Sequence, residues 1–411
     1  MHNVDMTKSL LIAGGGIAGM ATGLAAARAN WQASVFERTA EFSEVGAGVQ
    51  LGPNVTRTLQ KWGLSDALRD VASFPLGLHA RNLRTGEVLA TLPVGDAVVK
   101  YGAPYITIHR ADLHDLLTQA ALQHGVQVHK DATVTCVHQS HDVAWFEVMQ
   151  HGQLEEHSTA LAVAADGVWS PLRLQLLGDG MPSFTGHIAY RALVEQSQLP
   201  LHLRSQDVSV WMGSKAHVVS YPVRGGDYLN VVCLAEGRLL DEDASNLQTL
   251  QAWNAQKSEA QTLVELRHAL HGACSSLVDL IGACRDWRLW PLCGRPAMKG
   301  VHEHAQGRLA LVGDAAHPML PYLAQGAGMA IEDAFELGMG LMHASAVNVP
   351  QCLQSFAQAR WQRNAQVQLR AVRNGQIFHA IGPMRLARDL TLRLMGEKLM
   401  DVPWLYGYQP D

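Results

Sequence analysis

Three motifs, far apart in the chain, carry residue types suited to holding phosphate and sugar. Gly14-Gly15-Gly16-Ile17-Ala18-Gly19 follows the apolar run Ser9–Ala13 and opens a helical stretch reaching about Asn30. In this G-x-G-x-x-G spacing, Gly14 allows a tight turn, Gly16 lets the backbone approach a pyrophosphate, and Gly19 lets helix and strand pack closely. The pyrophosphate then meets the free N–H groups and positive dipole end of the helix that Ile17 and Ala18 begin. Glu37 closes the second strand-like segment, Ala33–Phe36, 18 residues beyond Gly19, where a carboxylate accepts hydrogen bonds from a ribose diol. Asp166 closes the apolar segment Leu161–Ala165, and Asp314 follows Leu309–Val312 and Gly313. Alone, the glycine loop also fits a turn in some other α/β protein. The strand before it, the helix after it and the acid at the end of the next strand favour a dinucleotide.

The elements that must position these motifs form a β-α-β opening, then alternating material. A second glycine-rich loop, Gly46–Gly52, leads into a helix around Asn54–Trp62. Leu78–Leu83 and Glu87–Leu92 alternate as strands joined by a turn at Thr85-Gly86. A helix is expected over Arg110–His124, and strands over 126–138, 143–149 and 155–164. Ile188–Val194, Val208–Met212, His217–Val223 and Tyr228–Leu234 form a β-rich block without helices of its own, which predicts a separate antiparallel sheet. Helical periodicity returns at 247–281, from Gln325 to Met342, and through most of 350–400.

The fold class expected is therefore α/β + β: a discontinuous Rossmann-like domain, an interleaved antiparallel-sheet substrate domain and a helical C-terminal region. The nucleotide-binding parts are assigned to residues 1–75, 106–180 and 291–345. The substrate parts are 76–105 and 181–290, and the helical region is 346–411.

Composition narrows the partners. A formal charge of −5 over 411 residues gives no basic footprint for nucleic acid. Six scattered cysteines contain no C-x-x-C pair, which argues against a disulfide framework or zinc site and suits the reducing cytoplasm. Twenty histidines show no ligand spacing, so no metal is expected. The apolar stretch 9–29 superficially resembles a signal peptide, but its glycines make a poor hydrophobic region. No run approaches the roughly 20 apolar residues of a spanning helix. Stable membrane association is not expected.

With these motifs together, the chain resembles the group A, single-component flavoprotein aromatic hydroxylases, and within them the salicylate, 3-hydroxybenzoate and 6-hydroxynicotinate hydroxylase branch. The resemblance runs from the first glycines to Trp404-Leu405-Tyr406-Gly407-Tyr408. Asp166-Gly167-Val168-Trp169-Ser170-Pro171-Leu172-Arg173 resembles the family's D-G motif. Gly313-Asp314-Ala315-Ala316-His317-Pro318, followed by Gln325-Gly326-Ala327-Gly328, resembles its G-D motif, whose Asp binds the ribityl chain or ribose of FAD. The resemblance implies that the helix starting there points its positive end at the flavin pyrimidine. It also places Arg110 on FAD, Arg38 near the adenosine and Gln50 near the flavin, although each alone reads equally as a loop or helix-end residue. The family often has Asn where Gly328 stands.

The implied reaction uses NADH or NADPH as reductant and O2 as co-substrate. A flavin C4a-hydroperoxide then transfers oxygen to a small hydroxylated aromatic or heteroaromatic acid. Phenolate is the reactive form, so a neutral base near the ring hydroxyl is needed, and histidine suits that role. His217-Val218-Val219-Ser220-Tyr221 resembles the branch's His-x-x-x-Tyr strand; residues four apart share a strand face, so His217 and Tyr221 are expected on one wall. Without the resemblance, His217 reads as a histidine packed on the sheet. Pro321 and Tyr322 sit where the family places residues beside the flavin; the 3-hydroxybenzoate branch tends to carry Gln at the Pro321 position. Arg81, Arg191 and Arg224 are candidates for a substrate carboxylate. Two other readings stay open: a related FAD monooxygenase or epoxidase acting on a larger polycyclic or quinone-precursor substrate without a phenol-activating base, and a non-catalytic binding protein of the same fold. The chain is expected as a monomer or homodimer.

Overall fold

The computed structural model describes residues 8–42, 48–237 and 258–409. Gly46 and Ala47 of the second glycine-rich loop, and residues 247–257 of the expected helical stretch, lie outside them.

A six-stranded sheet carries the glycine motif. Its order is Ala305–Gln306, Leu309–Leu311, Leu161–Ala164, Ser9–Ala13, Gln32–Phe36 and Gln127–His129, parallel except for the first pair. Leu10, Ile12, Leu161 and Val163 are completely buried, as expected for parallel strands covered on both faces. On one face lies the helix Ile17–Arg28, apolar almost all round because it sits between the sheet and the helix Gly326–Met342. Small residues set that spacing: a Cβ on Gly338 would lie 2.8 Å from the Ala25 Cβ.

Two expected strands are each divided between sheets. Gln127–His129 stays with the parallel sheet, whereas Ala132–Gln139 joins Ala144–Gln150 and Gln153–Thr159 in a three-stranded antiparallel sheet. Asp131, at φ +52°, turns the chain between them. Leu161–Ala164 likewise separates from Gln153–Thr159.

The β-rich block forms a seven-stranded sheet in the order Arg288–Gly294, Ser183–Glu195, Tyr228–Glu236, Ala216–Val223, Val208–Met212, Leu78–Asn82 and Val88–Leu92. It departs from the expected antiparallel arrangement at one junction, where Val208–Met212 runs parallel to Leu78–Asn82. Those two strands come from distant segments rather than from a hairpin, so no tight turn imposes opposite directions. Arg288–Gly294 belongs wholly to this sheet, so the boundary placed between 290 and 291 cuts through a strand. Pro291 marks it as an edge strand.

One sheet face packs Ala216, Val218, Val231 and Cys233 against helices Glu259–Ala269 and Ser275–Ala283. The other face is roofed by the C-terminal helices Val349–Phe378 and Gly382–Met400, the latter so close that a Cβ on Gly396 would lie 2.1 Å from the Ala90 Cβ.

A buried ionic cluster holds the roof to the nucleotide-binding layer. The Arg360 guanidinium, fully buried, donates to Asp333 at 2.9 Å and Glu332 at 2.8 Å. Arg363 grips both Glu332 oxygens at 2.7 and 2.8 Å, and Asn54 donates to Glu332 at 2.7 Å. Burial alone would raise both carboxylates, but Arg360 with Arg363 at Glu332, and His317 with Arg360 at Asp333, outweigh it and hold both below their usual range.

Candidate active site

Each glycine of the first motif answers to a distinct constraint. Gly14 sits at φ +100°, and a Cβ there would lie 2.5 Å from the Ala165 carbonyl oxygen. A Cβ on Gly19 would meet the Gly14 carbonyl oxygen at 1.9 Å. At Gly16 a Cβ would meet nothing within 4 Å, so the loop faces an open groove. The helices beginning at Ile17 and Gly326 both lack a side-chain cap, leaving N–H donors at two N-termini. Gly313, at φ +58°, brings these two parts together: its Cβ would lie 2.8 Å from the Ala18 Cβ.

The acids are arranged around this groove. Glu37 Oε2 accepts from Gly15 N at 2.7 Å, and Oε1 accepts from Thr39 N at 2.9 Å, so the carboxylate is already fixed over the glycine turn. His114, which the sequence did not single out, pairs with the Gly15 carbonyl at 2.6 Å. Asp166 Oδ1 is buried without a partner among the described residues, while Oδ2 accepts from Leu172 N at 3.4 Å. Arg38 is exposed, yet its charge reaches Asp166. Burial pushes Asp166 up to about 6 despite its hydrogen bonds from Ser170 and Leu172. Asp314 is also raised by burial, opposed by His317 and Arg110. Arg110, at the start of the helix Arg110–Gln123, thus faces the Gly-Asp loop. Gly326 adjoins Asp314, and Ala327 is half-buried. A Cβ on Gly328 would lie 2.7 Å from Val55 Cγ2 and 3.0 Å from Gln325 Oε1, so the Asn expected from the resemblance has no room. An open glycine cradle, two uncapped helix ends and an orphaned buried carboxylate oxygen fit a flavin dinucleotide.

Asp166 gives a pH prediction. Its folded-state value, about 6, lies above the ordinary 3.8, so the neutral acid is favoured in the folded protein. The stability it lends is complete below about pH 4 and is lost as pH rises through 6. Asp166→Asn is expected to raise the melting temperature of flavin-free protein at pH 7 but not at pH 4, while weakening flavin retention. Thermal scans at the two pH values check the sign.

Beyond the Gly-Asp loop lies a cavity of about 1560 Å³ between the seven-stranded sheet and the C-terminal helices. Gln50, His217, Pro321 and Tyr322 line it. His217 is buried on the strand Ala216–Val223, and its Nδ1 lies 2.8 Å from Nε2 of His379. His379 Nδ1 is in turn 3.2 Å from Nε2 of His187. Burial lowers all three: His217 well below its ordinary value, with His379 and His187 adding to the effect; His379 to about 3; and His187 less far. They surround the Tyr322 ring at centroid distances of 5.4–6.0 Å, and burial raises the Tyr322 hydroxyl.

Tyr221 shares the strand with His217 but does not line the cavity. Its ring is pressed against Gly48, where a Cβ would lie 2.4 Å from Cε2, and Gln50 hydrogen-bonds it. Gln50 also accepts from the Tyr105 hydroxyl at 2.6 Å.

None of the three arginines proposed for a substrate carboxylate reaches the cavity. Arg81 donates to Ser209 and Gly86, Arg191 stacks 3.9 Å over Trp290, and Arg224 pairs with Asp112 at 3.4 Å. Arg295, Arg370, Arg373 and Arg388 line it instead. Two groups of potential metal ligands come together among the described residues: Cys136, His138 and Glu147, and His304, His317 and Asp333. The second is engaged in hydrogen bonds, His317 with Asp333 and His304 with the Leu311 carbonyl and Asn364.

A parallel sheet with two helix N-termini and two buried acids converging on one groove, opening into a second-domain cavity, defines a flavin-nucleotide oxidoreductase. The profile of the family described as FAD binding domain matches residues 7–371, and the chain belongs to that family as an FAD-dependent monooxygenase. It is similar to the 3-hydroxybenzoate 6-hydroxylase of Polaromonas naphthalenivorans, at 32% identity over 97% of this chain and 96% of that protein. It is also similar to the 6-hydroxynicotinate 3-monooxygenase of Pseudomonas fluorescens, at 31% identity over 98% of this chain and 96% of that protein. A solved salicylate hydroxylase substrate complex shares the fold with a TM-score of 0.82 at 24% identity, covering 99% of this chain and 97% of that one. No helix among the described residues is long and apolar enough to cross a membrane.

Proposed function

We propose that the protein hydroxylates a small aromatic or heteroaromatic acid bearing a ring hydroxyl, using NADH or NADPH and O2. The observation that carries this reading is His217, a buried imidazole in the wall of the cavity beside the Gly-Asp loop, where burial favours its neutral form. Bound FAD, once reduced, supplies the activated oxygen. Gly14, Gly16 and Gly19, the N-termini at Ile17 and Gly326, and Asp166, Asp314 and Arg110 would hold it. His217 takes the proton of the ring hydroxyl, making the ring electron-rich. Tyr322 closes the site above the histidine, and the apolar lining from Met319, Leu320 and Phe378 excludes water. Arg295 meets the carboxylate: its Nε and Nη2 are buried without partners among the described residues, while Nη1 is held by Asp179 at 3.0 Å.

Salicylate, 3-hydroxybenzoate and 6-hydroxynicotinate form the test panel. At least one is expected to stimulate NAD(P)H oxidation and yield a hydroxylated product, whose mass reports any loss of the carboxyl group. Stimulated oxidation giving hydrogen peroxide alone would refute the substrate class. The cavity volume supports a second reading. At about 1560 Å³ it exceeds the ~300–1,000 Å³ usual for small-ligand pockets, which favours a larger, polycyclic substrate if single-ring acids fail.

A further inference from the structure

His217, His379 and His187 come from three segments, the strands Ala216–Val223 and Ser183–Glu195 and the end of the helix Val349–Phe378. Their nitrogens alternate along a line: His217 Nδ1 to His379 Nε2 at 2.8 Å, His379 Nδ1 to His187 Nε2 at 3.2 Å, and His187 Nδ1 to the Thr185 carbonyl oxygen at 3.2 Å. The last contact decides the protonation pattern of the rest. A carbonyl oxygen only accepts, so His187 carries its hydrogen on Nδ1 and offers a bare Nε2. His379 must then donate from Nδ1 and accept at Nε2, and His217 must donate from Nδ1. The nitrogen left without a hydrogen is His217 Nε2, which has no protein partner among the described residues on a ring that lines the cavity.

We infer that these three histidines form a proton wire, with His379 and His187 as positioning and relay residues that keep His217 Nε2 free of hydrogen and carry its proton along the cavity wall to the solvent-facing end at Glu236. This rests on the reading of His217 as the base for the ring hydroxyl. The substrate O–H breaks as His217 Nε2–H forms. His217 Nδ1–H passes to His379 Nε2, and His379 Nδ1–H passes to His187 Nε2. His187 is then an imidazolium, hydrogen on both nitrogens, and it loses its Nδ1 proton to water as the hydrogen bond from Nδ1 to the Thr185 carbonyl opens. Running in reverse, the wire returns a proton to the product oxygen and restores every tautomer.

The surroundings slope the charge outward. Burial, the neighbouring His187 and the Arg388 guanidinium all oppose a cation on His379; burial opposes one on half-buried His187 as well, but there the Thr185 carbonyl and the Glu236 carboxylate offset part of it. Glu236 is half exposed and paired with Lys215 at 2.9 Å, so the wire ends near solvent. Tyr322 and Phe378 wall the inner end with their rings. The middle ring is held rigidly: Arg388 donates to the Ile377 and Phe378 carbonyls, and Lys215 N donates to the His379 carbonyl at 3.2 Å.

The discriminating variant is His379→Gln. A glutamine amide can accept from His217 and donate to His187, preserving both tautomers, but it cannot pass a proton. FAD-loaded enzyme is mixed rapidly with 3-hydroxybenzoate, or with whichever panel acid is turned over, in weak buffer containing a pH indicator. Wild type is expected to release a proton on binding. In His379→Gln that release and kcat are expected to slow about 10- to 100-fold with KM little changed, and added imidazole to restore part of the rate. Wild-type release in His379→Gln would overturn the wire. If that variant fails to retain flavin, His187→Gln makes the same test at the outer end. A control separates the two readings. If His217→Asn still ionises the ligand, the base assignment itself falls. If only the His379 and His187 variants behave as wild type, the base stands and the wire falls.

Discussion

Exchanging His217 for Asn is expected to cut product formation from a phenolic acid at pH 7 by about 10²–10⁴-fold, the usual contribution of a positioned base. Asn places its amide N–H near the former Nδ1, so the hydrogen bond to His379 survives and the Nε2 lone pair alone is lost. The residual rate then depends on phenol that ionises by itself. With an ordinary phenol near pKa ~10, roughly one molecule in a thousand is phenolate at pH 7, which agrees with the middle of that range. The rate of the variant should climb about tenfold per pH unit up to the pKa of the phenol. Wild type should stay nearly flat, because burial keeps His217 unprotonated from below pH 6.5 upward. Unchanged flavin content with a flat, fast pH profile in the variant would remove His217 from the chemistry.

Arg360→Leu is expected to destabilise the fold by about 3–5 kcal/mol, the penalty for leaving buried charges without their partner. The guanidinium is fully buried and neutralises Glu332 and Asp333, which occupy adjacent positions on the helix whose N-terminus adjoins Asp314. Burial alone would lower the pKa of Arg360, but the two carboxylates reverse that and raise it. Arg363 still reaches Glu332, so the orphan is mainly Asp333, left with His317, Asn364 and Gly313 N. Urea unfolding of the flavin-free protein measures the loss; an unchanged midpoint would show that the ionic cluster contributes nothing net. The acidic limb should suffer least in the variant, since protonating Asp333 relieves the unpaired charge.

Local motifs were readable because each demands a residue type with no substitute. Only glycine tolerates φ +100° at position 14 and the 1.9 Å approach at position 19. Acids at strand ends were equally visible, since an apolar run closing in Glu37, Asp166 or Asp314 has few other uses. The substrate side was less readable, because its contacts join residues far apart in the chain. His379 lies 162 positions from His217, and no local spacing points from one to the other. Arg191 is on a plausible strand, yet Trp290 on the neighbouring strand captures its guanidinium. Tyr221 is on the strand that was named, but Gly48, 173 positions earlier in the chain, leaves exactly the gap its ring fills and draws it out of the cavity wall. Arg288–Gly294 escaped notice because its proline weakens the strand pattern, as an edge position permits.

The scattering of the flavin cradle over Gly14, Asp166 and Gly326 has a consequence for biosynthesis. No stretch emerging early from the ribosome can recognise the cofactor, because the second helix end arrives some 310 residues after the first. At ~5–20 residues per second, a nascent chain spends on the order of 15–60 s with its glycine turn made and nothing to clasp. Cofactor loading therefore belongs to the finished chain, and starving cells of riboflavin should accumulate folded, colourless protein rather than stalled fragments.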